Sequence, residues 1–253
     1  SSAMVLLDGI PLTEPGGSLD WTHLSVPGLD RIEIVRGPSS ALFGAEASSG
    51  VVQLFTHTAD AEGTMHGSAV YERGSFSSDH WTGSLSGGLA KKFDYALTTD
   101  QYRSTGEFIN DAFRMTSGTA SVGYAFSDAT RLRAVVRSFD AYTGDPGQTY
   151  YGLYNRDAHS TDRDIAAGLK LDDARGNRYT QSATFAYHRY HDLFTDPTSE
   201  SYKLGAVVSN VGAFRYLTNL LPGSGATVTV FSGGGETLTD RWSGGYRGSL
   251  SQH

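Results

Sequence analysis

The chain has 253 residues with 20 basic and 27 acidic side chains, and its formal charge of −7 removes the electrostatic basis for binding nucleic acid. With 31 Gly, 14 Tyr and 12 Phe against 7 Pro and four Lys (at 91, 92, 170 and 203), the composition suits strands and turns. No stretch approaches the roughly 18 to 20 apolar residues of a membrane helix. A membrane is not thereby excluded, because a barrel strand needs only about 10 residues of alternating polarity and its lumen face stays polar. The absence of Cys is compatible with an oxidising compartment without establishing one. Ser1 opens the chain without a charged region or an apolar core behind it, so no signal peptide is visible and an exported protein would carry one upstream.

From about Ser1 to Thr58 short apolar strands alternate with Gly/Pro turns. Met4 to Leu7 leads into Asp8-Gly9, Ile32 to Val35 into Gly37-Pro38, and Val51 to Phe55 closes the segment. Asp-Gly and Gly-Pro mark turns because they tolerate or impose unusual φ values. Ser39 to Phe43 has the length of one helical turn, so a small α+β unit is expected over 1–58.

From about Thr64 onward the period is 2, the signature of strands. In 81–89, Trp81, Leu85 and Leu89 share a face opposite Thr82, Ser84 and Ser86. In 131–137, Leu132, Ala134 and Val136 alternate with arginines at 131, 133 and 137; in 164–171, Ile165, Ala167, Leu169 and Leu171 alternate with a more polar set. Tyr179, Ala183, Phe185 and Tyr187 lie opposite Thr180, Ser182 and Thr184, and Leu238, Trp242, Tyr246 and Leu250 define the last apolar face. The pattern predicts strands near 64–73, 79–90, 95–102, 114–126, 131–140, 161–171, 178–191 and 236–250. Links at 91–94, 127–130 and 172–177 are tight, whereas those near 103–113, 141–160 and 192–235 are long. Tight and long links alternate, so the tight ones gather at one end, as in outer-membrane barrels. The link at 74–78 is short where a long one would be expected. A hairpin around Ala226 to Phe231 is expected inside the longest loop.

Four stretches of the first segment carry a family likeness: Val5 to Leu12 with its Asp8-Gly9, Leu29 to Pro38 reading L-D-R-I-E-I-V-R-G-P, Ser40 to Gly44, and Ser49 to Phe55. Together they resemble the second half of the plug of a TonB-dependent outer-membrane receptor. Ser49-Gly50 stands where Gly-Gly is usual and Gln53 where Asn is common. The likeness covers about the first quarter of the chain; beyond it only the texture is similar, most of all to cobalamin and siderophore receptors.

The resemblance implies an all-β, antiparallel membrane β-barrel, incomplete here with about 8 of the family's 22 strands. A partial small α+β plug would occupy 1–58, and the truncated barrel 59–253. It further implies energised import of a scarce large nutrient, such as a ferric siderophore or cobalamin. The site would be the outer membrane of a Gram-negative bacterium, with membrane lipid around a monomer and TonB acting through a segment ahead of Ser1. Arg31 and Glu33, two apart on a strand, share a face. With Arg36 they are the candidates for locking plug to barrel, and Arg36 best matches the family position, with partners mostly beyond His253. Gly37, Pro38, Gly44 and Gly50 are expected to serve turn geometry.

No nucleophile elbow, zinc-protease helix, P-loop or dinucleotide motif occurs, so no catalytic residue is assigned. His188 and His191, three apart on a strand, point to opposite faces and make poor joint metal ligands. Asp140, Asp145, Asp157, Asp162 and Asp164 flank the 141–160 loop and have the chemistry of a Ca²⁺ site, or of a solvated loop; no other cofactor is expected. Tyr142, Tyr150, Tyr151 and Tyr154 are candidates for stacking on a ligand or for an interfacial aromatic girdle. The alternatives are a signal-sensing receptor of the same family, an outer-membrane lipase or protease, and a soluble β-rich binding module.

Overall fold

Asp8 and Gly9 both take positive φ, 48° and 89°, which is the two-residue turn whose twist matches a β-hairpin. The turn joins β1 (Met4–Leu7) to β2 (Ile10–Pro11). Two further strands, β3 (Leu29–Arg36) and β4 (Gly50–Thr56), complete a mixed sheet in the order β2-β1-β4-β3, with β1 parallel to β4. The computed structural model describes residues 3–12, 26–27, 29–37, 47–56, 64–149, 153–175, 179–203, 205–211, 214–221 and 227–250. For 202–203, 205–211, 214–221, 227–228 and 230 it describes the backbone alone. The expected helical turn at Ser39 to Phe43 and the boundary near 58 lie outside these residues.

β1 is apolar at every position because both its faces are covered. Met4 and Leu6 pack with Ala47 and Val51 on one side. Val5 and Leu7 join Ile10, Leu12 and Leu54 on the other, together with Val135, Ala166 and Ala186 of the long sheet. A strand buried on both faces reads as a continuous apolar run rather than an alternating one.

The long sheet is wholly antiparallel. In chain order it contains β5 (His66–Arg73), β6 (Asp79–Leu89), β7 (Phe93–Ser104), β8 (Phe113–Ala125) and β9 (Thr130–Gly144). The 145–158 connection holds a small hairpin, β10 (Gly147–Gln148) with β11 (Leu153–Tyr154). Next come β12 (His159–Arg175) and β13 (Tyr179–Asp196). The 197–232 connection holds β14 (Glu200–Lys203), β15 (Gly205–Val211), β16 (Phe214–Leu221) and β17 (Thr227–Val230), before β18 (Gly233–Leu250) ends the sheet. The sheet order is β18-β13-β12-β9-β8-β7-β6-β5, every neighbour in sequence a neighbour in space.

All eight predicted strands are present, several of them longer than the alternation suggested. β9, β12 and β13 run two to five residues further at the long-loop end, where their outward side chains turn charged and the apolar alternation fades. The expected hairpin at Ala226 to Phe231 is corrected: Thr227–Val230 instead returns to pair with Glu200–Lys203, and β15 with β16 forms the hairpin nested between them. The partner strand lies 24 or more residues away, so local pattern could not reveal it.

Candidate functional site

Register and alternation divide the long sheet into two faces with different chemistry. One carries Trp81, Leu85, Leu89, Leu97, Val122, Val136, Ile165, Leu169, Phe185, Trp242 and Tyr246, all exposed and in an unbroken band. The other is polar and receives the N-terminal sheet. A sheet whose solvent-facing side is the oily one is built for lipid, not water. At the long-loop margin of the band the outward side chains become ion pairs, Arg163 Nε to Asp140 Oδ2 at 3.0 Å and Arg189 Nε to Asp240 Oδ1 at 2.8 Å. At the tight-turn margin stand Tyr124, Phe126, Tyr179 and Tyr246.

Three polar knots lie on the inner face. Nearest the tight turns, the Asp94 carboxylate is fully buried and takes hydrogen bonds from Arg131 and from Arg133 Nη2 (2.8 Å), while Arg133 Nη1 donates to Ser121 Oγ at 2.7 Å. In the middle, Asp164 Oδ1 lies 3.1 Å from Arg137 Nη1 and 3.3 Å from His188 Nε2, all three side chains at most 6% exposed. Towards the long loops, His80 sits between Asp100 Oδ1 (2.6 Å) and Glu72 Oε2 (3.1 Å), with Tyr102 edge-on to its ring. Buried charge costs several kcal/mol per ion unless paired, so the knots at Asp94 and Asp164 fix their strands only while complete.

The N-terminal sheet meets the wall between the first two knots. The β1–β2 hairpin inserts Ile10, 2% exposed, among Val135, Ala166 and Ala186. Gly168 faces it directly: a Cβ there would fall 2.5 Å from Ile10 Cγ1 and closer still to Cδ1. Beside this contact is a cavity lined by Asp8, Arg133, Val135, Lys170 and Thr184. Asp8 itself is held by Thr56, whose hydroxyl donates to Oδ2 at 2.6 Å and whose amide donates to Oδ1 at 3.2 Å. The seat escaped the sequence reading, although Gly168, with Ala166 on its own strand and Ala186 opposite it, is the trace that close approach leaves.

The candidate locking residues lie on β3. Arg31 Nε donates to Glu33 Oε1 at 2.7 Å, and its guanidinium also covers the Phe55 ring at 3.8 Å. The hydrogen bond to Glu33 raises Arg31 above the usual guanidinium pKa, so it is charged at any pH the fold meets. Arg36 is exposed at the end of β3. Gly37 (φ 97°) follows β3 and Gly50 (φ 148°) opens β4; a Cβ on Gly50 would lie 2.6 Å from the Val35 carbonyl oxygen. Pro38 and Gly44 lie outside the described residues.

Tyr142 points outward from β9, under Arg114 (4.6 Å) and stacked on His159 at 5.3 Å. Tyr154 sits in β11, and Tyr150 and Tyr151 lie outside the described residues. The five aspartates do not converge. Asp140 pairs outward with Arg163, Asp164 inward with Arg137, and Asp162 accepts from Tyr190 Oη at 3.1 Å. Asp145 accepts from the Gly147 amide, and Asp157 from Thr198. Among the described residues no group of three or more His, Cys, Asp or Glu is placed to hold a metal ion. His188 faces inward and His191 outward, the latter against Glu236 at 2.8 Å.

Residues 1–51 match the TonB-dependent Receptor Plug Domain. That segment carries the plug domain of TonB-dependent receptors, the family the chain resembles. It is 26% identical over 163 residues to the vitamin B12 transporter BtuB of Vibrio vulnificus, a match covering 60% of this chain and 26% of that protein. The chain thus spans about a quarter of the length of this curated relative. The ferric citrate transporter FecA in its unliganded form superposes with a TM-score of 0.63 at 16% identity, covering 99% of this chain and 46% of FecA. The ferric yersiniabactin uptake receptor FyuA of Yersinia pestis gives 0.65 at 16% identity, covering 79% and 34%. These likenesses fix the fold: the N-terminal sheet corresponds to the plug and the long sheet to part of the barrel wall. These relatives are receptors and transporters rather than enzymes.

Proposed function

We propose that the chain serves in an outer-membrane receptor that imports a scarce, large nutrient, such as a ferric siderophore or cobalamin, with TonB as the energising partner. The observation that carries this reading is the plug hairpin seated by Ile10 on the polar inner face of a sheet whose outer face is apolar. Among the described residues the plug meets its wall at an apolar contact with ion pairs of the inner face on either side, an arrangement suited to a plug that closes a lumen at rest and can be moved. No bond of the cargo is made or broken, and the chemistry is binding and release. Arg36, at the end of the exposed β3, is the plug's candidate lock to barrel carboxylates.

The test is uptake of radiolabelled cobalamin and of ferric siderophores by cells whose own receptors are deleted and which express the full-length protein. Accumulation of one cargo that vanishes when TonB is deleted is the expected result. Accumulation that is indifferent to TonB would sink the reading.

A further inference from the structure

Four outward-facing residues stand side by side on adjacent strands at the long-loop margin of the apolar band. Arg73 lies directly opposite Asp79, Asp79 opposite Arg103, and Arg103 opposite Arg114. Asp79 is saturated: it takes the Tyr71 hydroxyl at 2.6 Å and Arg103 Nε and Nη2 at 2.9 and 2.7 Å. Elsewhere on this margin each outward arginine has its own carboxylate, as in Arg163–Asp140 and Arg189–Asp240. Here one carboxylate, Asp79, stands in a row with three guanidiniums and is bonded to Arg103, while Arg114 lies over the Tyr142 ring. Arg103 and Arg114 are cross-strand neighbours, an arrangement that like charges disfavour unless an anion lies between them. Arg103 remains 70% exposed, and Arg73 and Arg114 are exposed as well.

What lies next to the row is equally specific. One step towards the band, Tyr71 and Trp81 pack ring to ring at 4.3 Å, and Trp81 is 53% exposed. Trp and Tyr collect where lipid tails give way to headgroups. Guanidinium forks match the oxygens of a phosphate in a way that single ammonium groups do not. We propose that Arg73, Arg103 and Arg114 form a docking site on the outer wall for the phosphate of an anionic membrane-lipid headgroup. The lipid's tails lie along Trp81 and Leu85, and its phosphate completes the charge that Asp79 leaves unbalanced. This inference rests on the reading of the long sheet as a membrane wall.

The test uses the full-length protein in detergent, incubated with phosphatidylglycerol or with phosphatidylcholine, and counts retained lipid by native mass spectrometry. The wild type should retain phosphatidylglycerol preferentially. The R73Q/R103Q/R114Q variant should lose that preference by roughly tenfold or more, and R163Q/R189Q should keep it. Equal retention by wild type and the triple variant would overturn the site. So would displacement of phosphatidylglycerol by inorganic phosphate alone, which would mark a small-anion site rather than a lipid one. Flotation of the same proteins with vesicles separates the two claims. A wild type that does not float refutes the membrane wall itself, whereas one that floats but shows no headgroup preference refutes only the lipid site.

Discussion

At Gly168 the barrel wall has no side chain because Ile10 of the plug fills the space one would take. Overpacking a filled contact costs about 1–3 kcal/mol. Gly168→Val in the full-length protein is therefore expected to unseat the hairpin, seen as faster proteolysis of the plug while the barrel stays intact. Ile10→Ala on that background should restore much of the protection. A single variant as protected as the wild type would show that the hairpin is not the anchor. Gly50 is constrained in a different way: its φ of 148° and the Val35 carbonyl 2.6 Å from a would-be Cβ exclude any side chain. Gly50→Ala should cost on the order of 1–3 kcal/mol, readable as a lowered urea midpoint for plug unfolding.

At the scale of the element, alternation assigns each strand residue to lipid or lumen. Ile165 and Ala166 are adjacent in sequence, yet one is 41% exposed on the outer face and the other fully buried against the plug. An arginine on the lipid face near the bilayer centre costs about 2–4 kcal/mol. Ile165→Arg should thus lower folding stability in vesicles by that amount, whereas Thr180→Arg, exposed on the lumen face, should not. Equal losses would mean the faces are misassigned. The β9–β12–β13 knot gives a second expectation. Asp164→Asn leaves Arg137 buried without its carboxylate and should cost about 3–5 kcal/mol. Replacing Arg137, Asp164 and His188 together by apolar residues of similar volume should recover most of the loss, as measured by equilibrium unfolding of the full-length protein.

At the scale of the whole molecule, the eight-stranded wall is open: β5 and β18 form its two edges and do not pair with each other. Lipid cannot satisfy unpaired edge amides and carbonyls. These 253 residues expressed alone are therefore expected to fail to insert, remaining extractable by urea in a flotation assay; resistance to urea extraction would show that the sheet closes by self-association.

The sequence by itself determined whatever depends on neighbours one or two residues apart. The period of 2 marked all eight wall strands, and the alternation of tight and long links indicated which end of the sheet carries the tight turns. The Asp8-Gly9 turn was legible for the same reason, since its residues are adjacent in the chain. Tertiary structure alone decided which long-range groups meet. The Ile10–Gly168 seat, the Arg137–Asp164–His188 knot and the pairing of Thr227–Val230 with Glu200–Lys203 all join residues tens of positions or more apart. Periodicity tells which face a side chain takes, but only register across hydrogen-bonded strands tells which side chain stands opposite it.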